Sequence, residues 1–213
     1  MLQTAAVERS TYELLKRLMK DDFLSDFLLA GGTNLALQIG HRRSIDLDLF
    51  SYKTFDSQEL EKYLQRNYNF VTNRVFDVNT VLGYVDDIKI DFVAHIYPVI
   101  NPPLIEDEIR FYSLQDIACM KLVAISDNGS RLKDFVDIAY LSTKMSLVEM
   151  LICYQKKYNR PNFYHAAKGL SYFGDIDFDT SIDLINGSFS WEKIEKRIRE
   201  MIKYEKKVFE TVP

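Results

Sequence analysis

The chain reads as an α+β protein, with a mixed β-sheet and flanking helices over residues 1–108 and a helical bundle over residues 109–213. Three observations predict this. Short apolar runs with strand-like alternation are confined to the first hundred residues. Pro98, Pro102 and Pro103 then punctuate a linker. Beyond it the apolar period becomes helical and stays so. With 213 residues, 47% of them hydrophobic and 13% aromatic, the chain can bury a sizeable core as one domain or two small ones.

The elements follow in order. Residues 5–20 are amphipathic at helical spacing through Leu14, Leu15 and Leu18. A short strand at Phe27–Ala30 ends at Gly31-Gly32, and Thr33–Ile39 reads as a helix. Asp46–Phe50 reads as a strand. Asp56-Ser57-Gln58-Glu59 is a capping pattern that opens a helix to about Tyr68. Two strand-like runs come next, Val71–Val85 with an interruption and Ile88–Ile96, joined by a turn at Asp86-Asp87. After the prolines, Ser113 and Ser146 look like helix N-caps, and a last helix runs from Ser190 to Phe209. No internal repeat interrupts this order.

Composition excludes several classes. No run of roughly 18 apolar residues is present, and the first residues are already charged, so neither a membrane span nor a signal peptide is expected and the reading is cytoplasmic. Cys119 and Cys153 lie in apolar helical patterns without metal-ligand spacing and are read as reduced core thiols. The net charge of −4 argues against a wholly basic nucleic-acid binder but is unevenly spread. Residues 153–169 carry Lys156, Lys157, Arg160 and Lys168 and no acid, and residues 191–207 hold seven basic and four acidic side chains. The acidic part is N-terminal and the basic part C-terminal.

The stretch from Leu28 to Ser51, LLAGGTNLALQIGHRRSIDLDLFS, poses a chemical question. Residues i and i+2 of a strand share a face, so Asp46 and Asp48 project together while Leu47 and Leu49 enter the core. Two adjacent carboxylates repel each other, and a divalent cation relieves that repulsion. Hard oxygen donors suit magnesium, with manganese as its substitute. Asp91, central in DDIKIDFVAHI, is a third candidate ligand, on the face opposite Ile88, Ile90 and Phe92. Three convergent carboxylates suit two-metal phosphoryl chemistry. Gly31-Gly32-Thr33 between strand and helix supplies backbone N–H groups and a hydroxyl for phosphate. Solvated carboxylates at a strand end, and glycines that merely end a strand, are the plainer readings of the same residues.

These residues resemble a known family. Gly31-Gly32-Thr33 with LAL, GHRRS and IDLDLF is similar to the first motif of the AbiEii/AbiGii-type toxin family, nucleotidyltransferases of the minimal, DNA polymerase β-like fold. KIDFV resembles the second motif, with Asp91 as third carboxylate. DIACMKLVAI and SRLKDFVDIAYL resemble the third, which contributes Lys121, Lys133 and Asp134. The resemblance spans about residues 28–141.

It implies a bacterial cytoplasmic enzyme that uses magnesium to transfer a nucleoside monophosphate from a nucleoside triphosphate, with Asp46, Asp48 and Asp91 catalytic and metal-binding. It implies nucleotide contacts from Gly31, Gly32, Thr33, Lys121, Lys133 and Asp134. It also implies a toxin with a cognate antitoxin, some members acting on the 3′ end of tRNA. One departure is Asn128 in DNGS, where an arginine is expected, with Arg131 as the nearby substitute.

Physical alternatives stay open for the lysines. Lys121, among Ile117, Val123 and Ala124, could be a snorkelling helix residue, and Lys133 with Asp137 an exposed i,i+4 pair. The basic and aromatic mixture Tyr154, Lys156, Lys157, Tyr158, Arg160, Phe163, Tyr164 and Lys168 suits a phosphate backbone and unpaired bases, and predicts RNA binding through Lys156, Lys157 and Arg160. The Trp191–Lys207 helix is expected to turn Ile194, Ile198 and Ile202 inward. A small-molecule nucleotidyltransferase of the antibiotic-modifying type and a non-catalytic nucleotide-binding module are the competing functions.

Overall fold

The structure is a computed structural model that describes residues 1–74 and 78–213. The interruption expected within Val71–Val85 falls partly outside the described residues.

Contacts divide the chain into two compact units, Met1–Tyr112 and Ser113–Pro213. A boundary at residue 108 would have assigned the strand Ile109–Phe111 to the helical half. That strand pairs with both Phe27–Leu29 and Leu104–Glu106, so it belongs to the sheet.

In the first unit α1 (Arg9–Met19) precedes β1 (Phe27–Leu29), α2 (Gly31–Ile39), β2 (Leu47–Ser51) and α3 (Ser57–Tyr68). Then come β3 (Val71–Arg74), β4 (Thr80–Val85), β5 (Ile88–Ala94), β6 (Leu104–Glu106) and β7 (Ile109–Phe111). Among the described residues these strands form one seven-stranded mixed sheet in the order β3-β4-β5-β2-β1-β7-β6. The β2–β5 and β1–β7 pairs are parallel and the others antiparallel.

Alternation decides which face is core. Leu29, Leu49, Phe92 and Val81 lie side by side across β1, β2, β5 and β4 and are all buried. Each such side chain contributes about 1.5–3 kcal/mol when removed from water. The residues between them, Asp48 and Phe50 on β2 and Asp91 and Val93 on β5, take the other face and are only partly covered.

The turn chemistry expected at Asp86-Asp87 is present: both residues have positive φ, the backbone of a tight two-residue hairpin. The β6–β7 hairpin was not foreseen. Its turn residues Asp107 and Glu108 also have positive φ, without the glycine that usually signals such a turn. Helix α1 compensates: Tyr12 Oη donates to Asp107 at 2.5 Å, Lys16 pairs with both acids, and Lys20 pairs with Glu108 at 3.0 Å.

The second unit holds α4 (Leu114–Asp127), α5 (Leu132–Leu141), α6 (Leu147–Tyr158), α7 (Tyr164–Ser171) and α8 (Trp191–Lys203). Helix α4 packs against α5, α6 and α7. Ser113 caps α4 by accepting from Asp116 N–H, and Ser146 with Glu149 forms a full capping box on α6. Asn128 and Gly129 end α4, both N–H groups donating to Ala124 O, with Gly129 in the left-handed region.

Helix α8 stops at Lys203, short of the expected Phe209, and turns Ile194, Ile198 and Met201 inward. Ile202 is 40% exposed, because the inward stripe of a 3.6-residue helix passes through i, i+4 and i+7 here and leaves i+8 at its margin. Among the described residues no helix is long and apolar enough to cross a membrane.

Candidate active site

The site is built on the parallel pair β2–β5, whose register sets Asp48 directly beside Asp91. Asp46, expected inside this strand, lies just before it, since β2 begins at Leu47. Asp48 and Asp91 therefore occupy neighbouring positions at the centre of the sheet, on the side away from Leu47, Leu49, Ile90 and Phe92.

The glycine turn closes against this face. Helix α2 starts two residues earlier than expected, so Gly31 and Gly32 form its first turn. Gly31 has φ +64°, and a Cβ built there would fall 1.8 Å from Asp48 Oδ2. The carboxylate thus lies against the glycine's bare Cα, and no other residue fits. The Ala30 N–H donates to Asp48 O at 2.8 Å, tying the turn to β2. Gly32 is equally constrained, since a Cβ there would meet Arg42 Nη2 at 2.4 Å. Arg42 is buried, with Nη1 donating to Arg43 O at 3.1 Å, and brings a fixed guanidinium to the start of α2. Its positive charge at this turn was not foreseen from the sequence, where it stood only inside the GHRRS run.

Thr33 is completely buried. Its Oγ1 contacts both the Asp46 carbonyl and, at 2.8 Å, Ser44 Oγ. A carbonyl can only accept, so Thr33 spends its one proton on Asp46 O and accepts from Ser44. The hydroxyl expected to meet a phosphate instead holds the segment that presents Asp46. Behind the turn, Asn34 Nδ2 donates to Leu29 O (2.7 Å) and Tyr112 O (3.1 Å), which fastens α2 to the ends of β1 and β7.

Lys89 is the side chain that sequence reading missed. Its Nζ stands 2.6 Å from Asp91 Oδ2, with side-chain exposures of 39% and 16%. Burial works to lower the Lys89 pKa, but the hydrogen bond to Asp91 and the charges of Asp91, Asp46 and Asp48 outweigh it and hold the ammonium above its ordinary value. The i, i+2 rule that grouped Asp46 with Asp48 would have found it in KID.

The donor chemistry suits a hard divalent cation: carboxylates on one face, and Asp91 Oδ1 buried without a hydrogen-bond partner among the described residues. Among those residues, however, no three acidic, histidine or cysteine side chains are gathered around a common point. Lys89 supplies the positive charge there. Asp48 and Asp91 fit a divalent cation by type and register.

The helical unit uses its charged residues differently. Lys121 Nζ is buried, 2.5 Å from Asp134 Oδ1 and 2.7 Å from Asp137 Oδ2. The exposed Lys133–Asp137 pair considered from the sequence is therefore replaced by a buried one, and Lys133 makes no ion pair among the described residues. Arg131, the substitute for the missing arginine, is largely exposed and 3.6 Å from Asp134 Oδ2.

The basic stretch is split. Lys156, Arg160, Phe163, Tyr164 and Lys168 are exposed, whereas Tyr154 and Tyr158 are buried. Lys157 is fully buried, 2.8 Å from an equally buried Asp116 Oδ1. The expected RNA contact of Lys157 is corrected accordingly, since its ammonium faces the core. A cleft of about 400 Å³ lies beside this stretch, lined by Ser126, Asp127, Tyr154, Arg160, Asn162 and His165.

Residues 13–171 match the family described as nucleotidyl transferase AbiEii toxin, Type IV TA system. An uncharacterized protein of Aquifex aeolicus (strain VF5) is 31% identical over 203 residues, covering 92% of this chain and 96% of its own. The fold is similar to the crystal structure of JHP933 from Helicobacter pylori, with a TM-score of 0.55 at 18% identity over 93% of this chain and 92% of that one. It is also similar to an antigenic nucleotidyltransferase-like protein from Paracoccidioides brasiliensis, with a TM-score of 0.52 at 15% identity over 96% and 99% of the two chains.

Proposed function

Because the chain belongs to the AbiEii family of nucleotidyl transferase toxins, we propose that it transfers a nucleoside monophosphate from a nucleoside triphosphate to a hydroxyl at an RNA end, tRNA being the first candidate. The observation that carries this reading is the register that sets Asp48 beside Asp91, with Gly31 closed against Asp48.

Asp46, Asp48 and Asp91 would hold magnesium, or manganese in its place, which neutralises triphosphate charge and makes the acceptor hydroxyl easier to ionise. Asp91 assists by accepting the acceptor's proton. The N–H groups of Gly31 and Gly32 at the positive end of α2 orient a phosphate, and the Arg42 guanidinium adds charge beside them. Thr33 acts by positioning Asp46. In the helical unit Lys133 is the residue proposed to meet a phosphate, because Lys121 is already paired with two carboxylates. Asp134, with Asp137, holds Lys121 in place. Lys156 and Arg160 are proposed to bind the RNA backbone. The setting is the bacterial cytoplasm, where both substrates are found, with a cognate antitoxin as partner.

The test is incubation with each labelled nucleoside triphosphate, magnesium, and either total bacterial RNA or a panel of small alcohols. Label on RNA is the expected result. Label on a small alcohol alone would reassign the acceptor, and nucleotide binding without any transfer would leave a binding module.

A further inference from the structure

We infer that Lys89 is a built-in counter-ion of the carboxylate face, holding Asp91 in the metal-free protein and yielding its place when a divalent cation enters. The inference rests on the metal reading above.

Geometry carries it. The Lys89 ammonium is 2.6 Å from Asp91 Oδ2, and the strand register sets Asp91 beside Asp48. The ammonium therefore sits against Asp91, within range of the charges of Asp46 and Asp48. From the other neighbouring strand, β4, Tyr84 stands across from Lys89 and Leu82 across from Asp91.

The Lys89 side chain is 39% exposed and swings on a flexible four-carbon stem, unlike the buried lysines of the helical unit. It is held through one charge-assisted hydrogen bond at a partly exposed position and can leave. Only one Asp91 oxygen is engaged; Oδ1 is buried and has no hydrogen-bond partner among the described residues. A cation drawing on both strands must take over Asp91 from Lys89, so the ammonium sets a threshold for metal loading.

Manganese binding, followed by electron paramagnetic resonance and by calorimetry without nucleotide, tests this on the full chain. Lys89→Met should bind manganese about tenfold more tightly than the parent, and Lys89→Arg, which keeps the charge, within about twofold of it. The metal-free Lys89→Met protein should also melt lower and gain more from added manganese than the parent does. Equal or weaker manganese affinity in Lys89→Met, in a parent whose binding depends on Asp48, would overturn the counter-ion role while leaving the metal reading intact. Parent binding that is undetectable, or unchanged in Asp48→Asn, would remove the metal reading and this inference with it.

Discussion

In the sheet unit Asp91 pairs with a partly exposed Lys89, whereas in the helical unit Asp116 pairs with a buried Lys157 and Asp134 and Asp137 close on a buried Lys121. Net charge follows the same division, −5 over residues 1–112 and +1 over residues 113–213. The difference separates charge used for architecture from charge held for chemistry. A buried carboxylate with its own lysine has its cost met within the fold. A carboxylate whose lysine stays within reach of solvent can exchange that lysine for another cation.

The comparison breaks most visibly at Asp48. Asp48→Asn should cut nucleotide transfer by about a thousandfold or more while sparing the fold, as read by circular dichroism. Full activity in the purified variant would dissolve the distinction. The mirror case is Lys157→Met, which strands Asp116 in the core and should cost about 3–5 kcal/mol in a urea titration. Adding Asp116→Leu should restore much of that loss, and a single variant as stable as the parent would show that the buried pair does not hold the bundle.

Gly31→Ala sharpens the contrast from the other side. Its Cβ would occupy the position of the Asp48 carboxylate in a left-handed backbone, so stability should fall by about 1–3 kcal/mol and activity with it. Parental values on both counts would mean that the turn relaxes freely.

The smallest effect belongs to the α6 cap. Ser146→Ala should cost about 1 kcal/mol. The Ser146 hydroxyl, and then its backbone N–H, hold the Glu149 carboxyl below its ordinary pKa. The cap's contribution is therefore present above the ordinary glutamate range and lost as pH falls through the lower folded value. A stability profile in which the variant shows the parent's full acid loss would place that pH dependence elsewhere.

What could be read from the sequence was local. Asp46 and Asp48 at i and i+2, the Asp86-Asp87 turn and the Ser146 cap each follow from a few adjacent residues. The β6–β7 hairpin did not, because its three-residue strands carry too little pattern and its turn is held by α1 some ninety residues away. Thr33 looked like a phosphate ligand because a hydroxyl after two glycines has that chemistry, yet its partner is chosen by the Ser44–Asp46 segment folding over it. Lys157 was within reach: Tyr154, Lys157 and Tyr158 are spaced as one inward helical stripe, but composition was read ahead of periodicity. The acids Asp175, Asp177, Asp179 and Asp183 also dilute the basic character expected of the C-terminal half.

The Asp48–Asp91 register has a consequence for the newly made chain. The glycine turn, Thr33, Asp46 and Asp48 are fixed by contacts made within a short stretch, which is inexpensive to close. Asp91 arrives only after α3 and β4 have been made and β5 has docked parallel to β2. A ribosome that has released the first seventy residues has produced a finished cradle with two of its three acids. The third acid comes with the strand that completes the centre of the sheet, so the site waits for the fold.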